Sequence, residues 1–181
     1  MKKIILASSS PRRKELLTTA GIEFKIHVKD VDETIPEGTP PIEAAKMTAA
    51  KKAAAVADDF KDCVVIGADT IVVANGKILG KPKDEADAKS MLRMLSGIEH
   101  EVITGVCIIR NGISESFAQV SKVKFYDLTD DEIISYVATK EPMDKAGAYG
   151  IQGLGCRLVE KIEGDYFNIV GLPVAEVCRR L

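Results

Sequence analysis

The chain has 181 residues, 46% hydrophobic and 29% charged, with a formal net charge of −2. That is an ordinary globular balance, long enough for one full core or two small lobes, and with no long basic block it argues against polynucleotide binding. No apolar run approaches the roughly 18 residues of a membrane span, and residues 4–7 are too few for a signal peptide's apolar region, so a cytoplasmic protein with no membrane partner is expected.

Residues 2–7 read as a first strand ending in Ser8-Ser9-Ser10. Pro11 takes the favoured first position of a helix that runs to Gly21, with Ser10 as N-cap. Three hydroxyls, Arg12 and Arg13 therefore gather at a helix N-terminus directly off a strand. Backbone N–H groups and the positive dipole end favour an anion there. Two arginines in the first turn oppose the dipole unless an anion compensates them. A phosphate cradle and a simply solvated helix start both fit this stretch.

Residues 24–28 alternate as a short strand and lead into the acidic loop Asp30-Val31-Asp32-Glu33. Such loops are commonly just solvated, yet Mg²⁺ takes one or two carboxylates plus substrate phosphates. Over 41–58, Ile42, Ala45, Ala49, Ala53 and Val56 recur at helical spacing, and the many alanines predict close packing. Lys51 and Lys52 lie on this helix and alone say little.

Cys63-Val64-Val65-Ile66-Gly67-Ala68-Asp69-Thr70 reads as a buried mid-sheet strand. Its apolar run stops at Gly67, which would let a ligand approach the backbone, and presents Asp69 and Thr70 at the strand end. Ligands in open α/β sheets bind outside the carboxyl ends of strands. Equally, Asp69 could satisfy N–H groups in a turn. Asn75-Gly76 and Asn111-Gly112 are strong hairpin signals, joining 71–74 to 77–79 and 101–109 to 113–125. Helix 84–95 stops at Ser96-Gly97, and helix 130–138 is capped by Thr129 with Glu132 at the capping-box position.

Residues 141–155 are glycine-rich, but Gly150-x-x-Gly153-x-Gly155 reverses the dinucleotide spacing and neither follows a strand nor opens a helix, which excludes a Rossmann site. Residues 157–162 and 166–170 read as a last hairpin about Glu163-Gly164, and helix 173–181 closes the chain. Cysteines 63, 107, 156 and 178 show no metal or redox spacing, and Cys63 and Cys107 read as buried thiols. Neither His27 nor His100 has ligand-like neighbours, so zinc chemistry is not expected. With no repeat or linker, residues 1–181 are expected to form a single α/β domain with two lobes around a cleft.

Ala7-Ser8-Ser9-Ser10-Pro11-Arg12-Arg13-Lys14-Glu15-Leu16-Leu17 resembles the N-terminal signature of the Maf family of nucleoside triphosphate pyrophosphatases. Later stretches resemble its motifs in order: Val31-Asp32-Glu33, Lys52-Ala53, Gly67-Ala68-Asp69-Thr70, Gly80-Lys81-Pro82, Leu95-Ser96-Gly97, Thr104-Gly105, the segment from Asp144 to Gly153, and Gly171-Leu172-Pro173. The resemblance implies a three-layer α/β/α fold with an elongated mixed sheet, inosine triphosphatase-like. It implies hydrolysis of a nucleoside triphosphate to monophosphate and pyrophosphate with a divalent metal, Mg²⁺ or Mn²⁺. Carried over by position, Asp69 is the proton acceptor and a metal-side carboxylate, and Glu33 shares the metal. Ser8, Arg13, Lys52 and Lys81 hold the triphosphate, while Arg12, Thr70 and Gln152 bear on the base. A homodimer is also what the family suggests.

The same positions imply dTTP and UTP as substrates. A branch acting on 7-methylguanosine triphosphate carries Trp, Gln and Glu where this chain has Arg12, Thr70 and Gln152, and the chain contains no Trp. An amide can both donate to and accept from the uracil or thymine edge, whereas a carboxylate suits guanine's two donors. The alternatives are the 7-methyl-GTP activity itself, a phosphomonoesterase releasing orthophosphate, or a non-catalytic nucleotide sensor in cell division. The last would lack an intact Asp69 and Glu33, and both are present.

Overall fold

The computed structural model describes residues 3–181, so Lys2 of the expected first strand lies outside the described residues. In chain order the elements are β1 (Ile4–Leu6), α1 (Pro11–Thr19), β2 (Phe24–Ile26), α2 (Pro41–Ala57), β3 (Val64–Ala74), β4 (Lys77–Leu79) and α3 (Glu85–Leu95). Then come β5 (Glu99–Arg110), β6 (Ile113–Phe125), α4 (Asp130–Ala138), three 3₁₀ turns between Glu141 and Leu158, β7 (Val159–Glu163), α5 (Tyr166–Val170) and α6 (Val174–Arg180). The sheet runs β2-β1-β3-β5-β6-β7, with β4 paired to β3. It is mixed: β1 is parallel to β2 and β3, whereas β3/β4 and β6/β7 are antiparallel.

The chain forms two compact units. The first holds the described residues up to Thr70, Thr104–Gln119 and Gly171–Leu181, and the second holds Ile71–Ile103 and Val120–Val170. In the first unit, α2 lies directly on the sheet. Ala45, Ala49 and Ala53 of α2 are wholly buried, and Ala49 and Ala53 pack with Ile5, Ala7, Val65 and Cys107. Two strand glycines permit this approach: a Cβ on Gly67 would strike the Ala49 carbonyl, and one on Gly105 would strike the Ala45 carbonyl. The backbone that comes close to Gly67 is therefore that of α2, where the sequence suggested a ligand. Cys107 is buried as expected, while Cys63 is only half-buried.

A second correction concerns β3. It runs unbroken from Val64 to Ala74, so Asp69 and Thr70 sit within the strand and not at its end. Gly67 has an ordinary negative φ, and the polar pair continues the extended backbone. Nothing there turns the chain.

The second unit has a larger core, with Leu92, Leu95, Phe125 and Tyr136 fully buried. Its local signals fold as the sequence suggests. Asn75 and Gly76 take φ of 50° and 73°, the left-handed pair that a two-residue hairpin turn requires. Thr129 Oγ1 accepts from Glu132 N, and Glu132 Oε2 accepts from Thr129 N, completing the capping box. The expected last hairpin is wrong in one half. β7 pairs with β6, but residues 166–170 form α5. Asp165 Oδ1 accepts from Phe167 N at 2.8 Å, and buried Asn168 donates to Val102 O and Ser121 Oγ. These side-chain bonds tie the segment down as a helical turn and override its β-branched and aromatic content.

Candidate active site

The first unit brings most of the sequence-predicted site residues into two adjoining webs. One centres on Arg13. Ser10, in extended conformation, ends the loop after β1 and makes no side-chain cap bond, and Pro11 opens α1. This turns Arg13 inward, leaving it only 9% exposed. Its Nε donates to Gly171 O at 2.8 Å, Nη1 to Ser8 Oγ at 3.1 Å and Nη2 to Thr70 Oγ1 at 3.0 Å. Ser8 Oγ also accepts from Ser10 N. None of the three acceptors carries charge. Burial lowers the Arg13 pKa from the usual guanidinium range, with the negative charges of Asp69 and Glu33 acting the other way; the group nonetheless stays protonated. Arg12, beside it, is half-buried.

The second web centres on Lys52 of α2. Its Nζ lies 2.7 Å from Asp69 Oδ1 and 3.1 Å from Glu33 Oε1. Lys51, one residue earlier, donates to the carbonyls of Asp32 and Thr34. Neighbouring lysines thus tether the acidic loop to α2, and Glu33 is brought towards the strand carboxylate. Adjacent strand residues alternate faces, so Asp69 reaches α2 while Thr70 joins Arg13.

Asp69 and Glu33 offer hard oxygens on either side of one ammonium, a donor set that fits Mg²⁺ or Mn²⁺ sharing its coordination with phosphate oxygens. Among the described residues no group of three or more His, Cys, Asp or Glu side chains is placed to hold a metal. Asp69 and Glu33 would therefore be the protein's share of such a site.

Lys81 and Gln152 belong to the second unit. Lys81 is exposed in the segment after β4, where Gly80 O accepts from Gly147 N at 3.0 Å. Gln152 is half-buried and precedes the 3₁₀ turn Gly153–Leu158. Glu141 organises that turn: its carboxylate accepts from Tyr136 OH, Leu154 N and Gly155 N at 3.0–3.1 Å. Burial raises the Glu141 pKa, but these donors outweigh it and hold the carboxyl below its ordinary value. Gly153, at φ 65°, has no room for a Cβ against Glu141.

Three participants went unassigned from sequence: Thr104, Gly171 and Glu141. Thr104 Oγ1 lies 2.9 Å from Thr70 Oγ1. The first two fall in stretches that resemble family motifs, which was the one signal available. Separations of 34 and 158 residues from their partners hid the contacts themselves.

A mixed α/β sheet presenting a buried arginine at a helix start, next to a carboxylate–lysine cluster, is the framework of a phosphate-handling protein, and the chain belongs to the family described as Maf-like protein, whose model matches residues 3–181. Among its relatives is the dTTP/UTP pyrophosphatase of Geobacillus sp. (strain WCH70), 54% identical over 181 residues, covering 100% of this chain and 97% of that protein. Another is the dTTP/UTP pyrophosphatase of Bacillus thuringiensis subsp. konkukian (strain 97-27), at 52% identity over 100% of this chain and 95% of that protein. The solved structure of the Staphylococcus aureus Ham1 protein is similar in fold, with a TM-score of 0.50 at 16% identity, over 87% of this chain and 80% of that one.

Proposed function

We propose that this protein hydrolyses dTTP and UTP to the nucleoside monophosphate and pyrophosphate, with a divalent cation. The observation that carries this reading is Arg13. A buried guanidinium whose hydrogen-bond partners are all neutral is costly. A phosphate oxygen would add a directly bonded countercharge to the more distant ones of Asp69 and Glu33, through charge-assisted bonds to the two N–H groups that remain on its terminal nitrogens. The names of the relatives at 52–54% identity support the same reading.

In this mechanism Arg13 holds the triphosphate in ground and transition state alike, while Lys52 and Lys81 neutralise charge that develops on the leaving pyrophosphate. Asp69 accepts the proton of the water that attacks the α-phosphorus. Asp69 and Glu33 would hold the cation, which would supply positive charge against the phosphates and a more acidic water. Gln152, just before the turn whose Leu154 and Gly155 N–H groups bond Glu141, reads the pyrimidine edge, because an amide can both donate and accept. A site built for one edge leaves buried groups unpaired with another.

The test is product identity and preference. Purified protein is incubated with dTTP, UTP, CTP, GTP and 7-methyl-GTP in Mg²⁺, and monophosphate, diphosphate, pyrophosphate and orthophosphate are resolved. Pyrophosphate from dTTP and UTP, abolished by chelation and restored by Mg²⁺, is the expected result. Orthophosphate as the product, or a preference for the methylated purine, overturns it. Gln152→Glu should lower kcat/KM for dTTP and UTP.

A further inference from the structure

We infer that Thr104 is a positioning residue for the triphosphate, acting through Thr70 on Arg13; this rests on the function proposed above. Thr104 lies on β5 and is completely buried. A buried hydroxyl is unfavourable unless bonded, and valine would fill the same volume without that cost. Among the contacts of this hydroxyl is one of 2.9 Å with Thr70 Oγ1.

Three oxygens set the plane of the Arg13 guanidinium, and each needs an anchor. The Gly171 carbonyl is backbone, aimed by a φ of 132° that side-chain-bearing residues rarely adopt. Ser8 Oγ is steadied by Ser10 N. Thr70 Oγ1 is a rotor whose alternative partner, Gly171 O, lies at 3.5 Å, at the limit of a hydrogen bond. Thr104 is what fixes it. Thr70 Oγ1 accepts from Arg13 Nη2 and shares one proton with Thr104 Oγ1, which holds its rotor in the position that faces the guanidinium.

Three N–H groups of Arg13 are spent on these anchors, leaving one on each terminal nitrogen. That pair is the fork suited to two phosphate oxygens, and its aim depends on the anchors staying put. Loss of the Thr104 hydroxyl should therefore weaken binding of the phosphate chain and not the chemical step.

The test compares wild type, Thr104→Val and Thr104→Ser. Steady-state kinetics with dTTP and Mg²⁺ are measured, together with calorimetric binding of inorganic tripolyphosphate and the thermal midpoint of each protein. Thr104→Val should raise KM and the tripolyphosphate Kd about tenfold with kcat nearly unchanged, the loss of one hydrogen bond. Thr104→Ser should restore both. Where valine is not accommodated, Thr104→Ala reads the same loss. Unchanged KM and Kd in Thr104→Val, or a serine variant as weak as valine, overturns the inference and leaves the proposed function standing. Wild type that releases no pyrophosphate from any nucleotide overturns the proposed function, while the tripolyphosphate comparison still decides whether Thr104 positions Arg13.

Discussion

Asp69 is the residue on which activity should turn most sharply. It is ion-paired to Lys52, yet both side chains keep about 18% exposure, enough for a substrate to reach them. Asp69→Asn keeps the shape and removes the charge. Turnover should fall by roughly 10²–10⁴-fold, the range for loss of a general base, while circular dichroism and the thermal midpoint stay near wild type. An Asn variant that turns over at the wild-type rate in saturating Mg²⁺ would remove Asp69 from the mechanism. At this scale the sequence was informative about which residue types mattered and less so about their surroundings. Ser8, Arg13, Lys52 and Asp69 stand out from local chemistry or motif. That Arg13 is buried against neutral oxygens depends on Thr70 and Gly171, and nothing local to α1 announces it.

Among the elements, α2 shows how a pattern of small residues becomes a fixed seat. Gly105→Ala would press a methyl into the Ala45 backbone, with no side chain there to move aside. Overpacking of this kind costs roughly 1–3 kcal/mol, and urea unfolding should register it as a lowered midpoint at unchanged slope. Because α2 also carries Lys52, the variant should lose activity beyond its loss of stability. In the second unit, β5 brings His100 edge-on to Phe125 and Tyr149, with Nε2 2.8 Å from Tyr149 OH. Burial lowers the His100 pKa to about 4, against some help from the Ile98 carbonyl and Glu99. The unfolded chain then takes up a proton that the folded chain refuses. Stability from this source is full above about pH 6.5 and is lost as pH falls towards 4, by up to roughly 3 kcal/mol. Replacing His100 and Tyr149 together by Phe removes both polar partners at once and should flatten that part of the pH–stability curve. A slope that persists would belong to the carboxylates. Capping and hairpin signals predicted these elements well, since they depend on a few neighbouring residues. Helix α5 was misread because Asp165 and Asn168 bind partners on other elements.

At the scale of the whole molecule, the sequence alternates between two units, and β3, β5 and β6 each begin in one and end in the other. Periodicity revealed the strands, but it carries no information about which stretches share a compact unit, because that is decided by pairings such as β1 with β3. The acceptor for Arg13 Nε lies 158 residues further along the chain. During synthesis at about 5–20 residues per second, that separation amounts to a wait on the order of ten seconds or more. Through this interval the guanidinium must stay hydrated, since burial without its acceptors is costly. Lys52 and Asp69 are both synthesised long before that acceptor, so their ion pair has its residues while the arginine still lacks one of its own. The last anchor of the guanidinium is delivered only when Gly171 itself has been made.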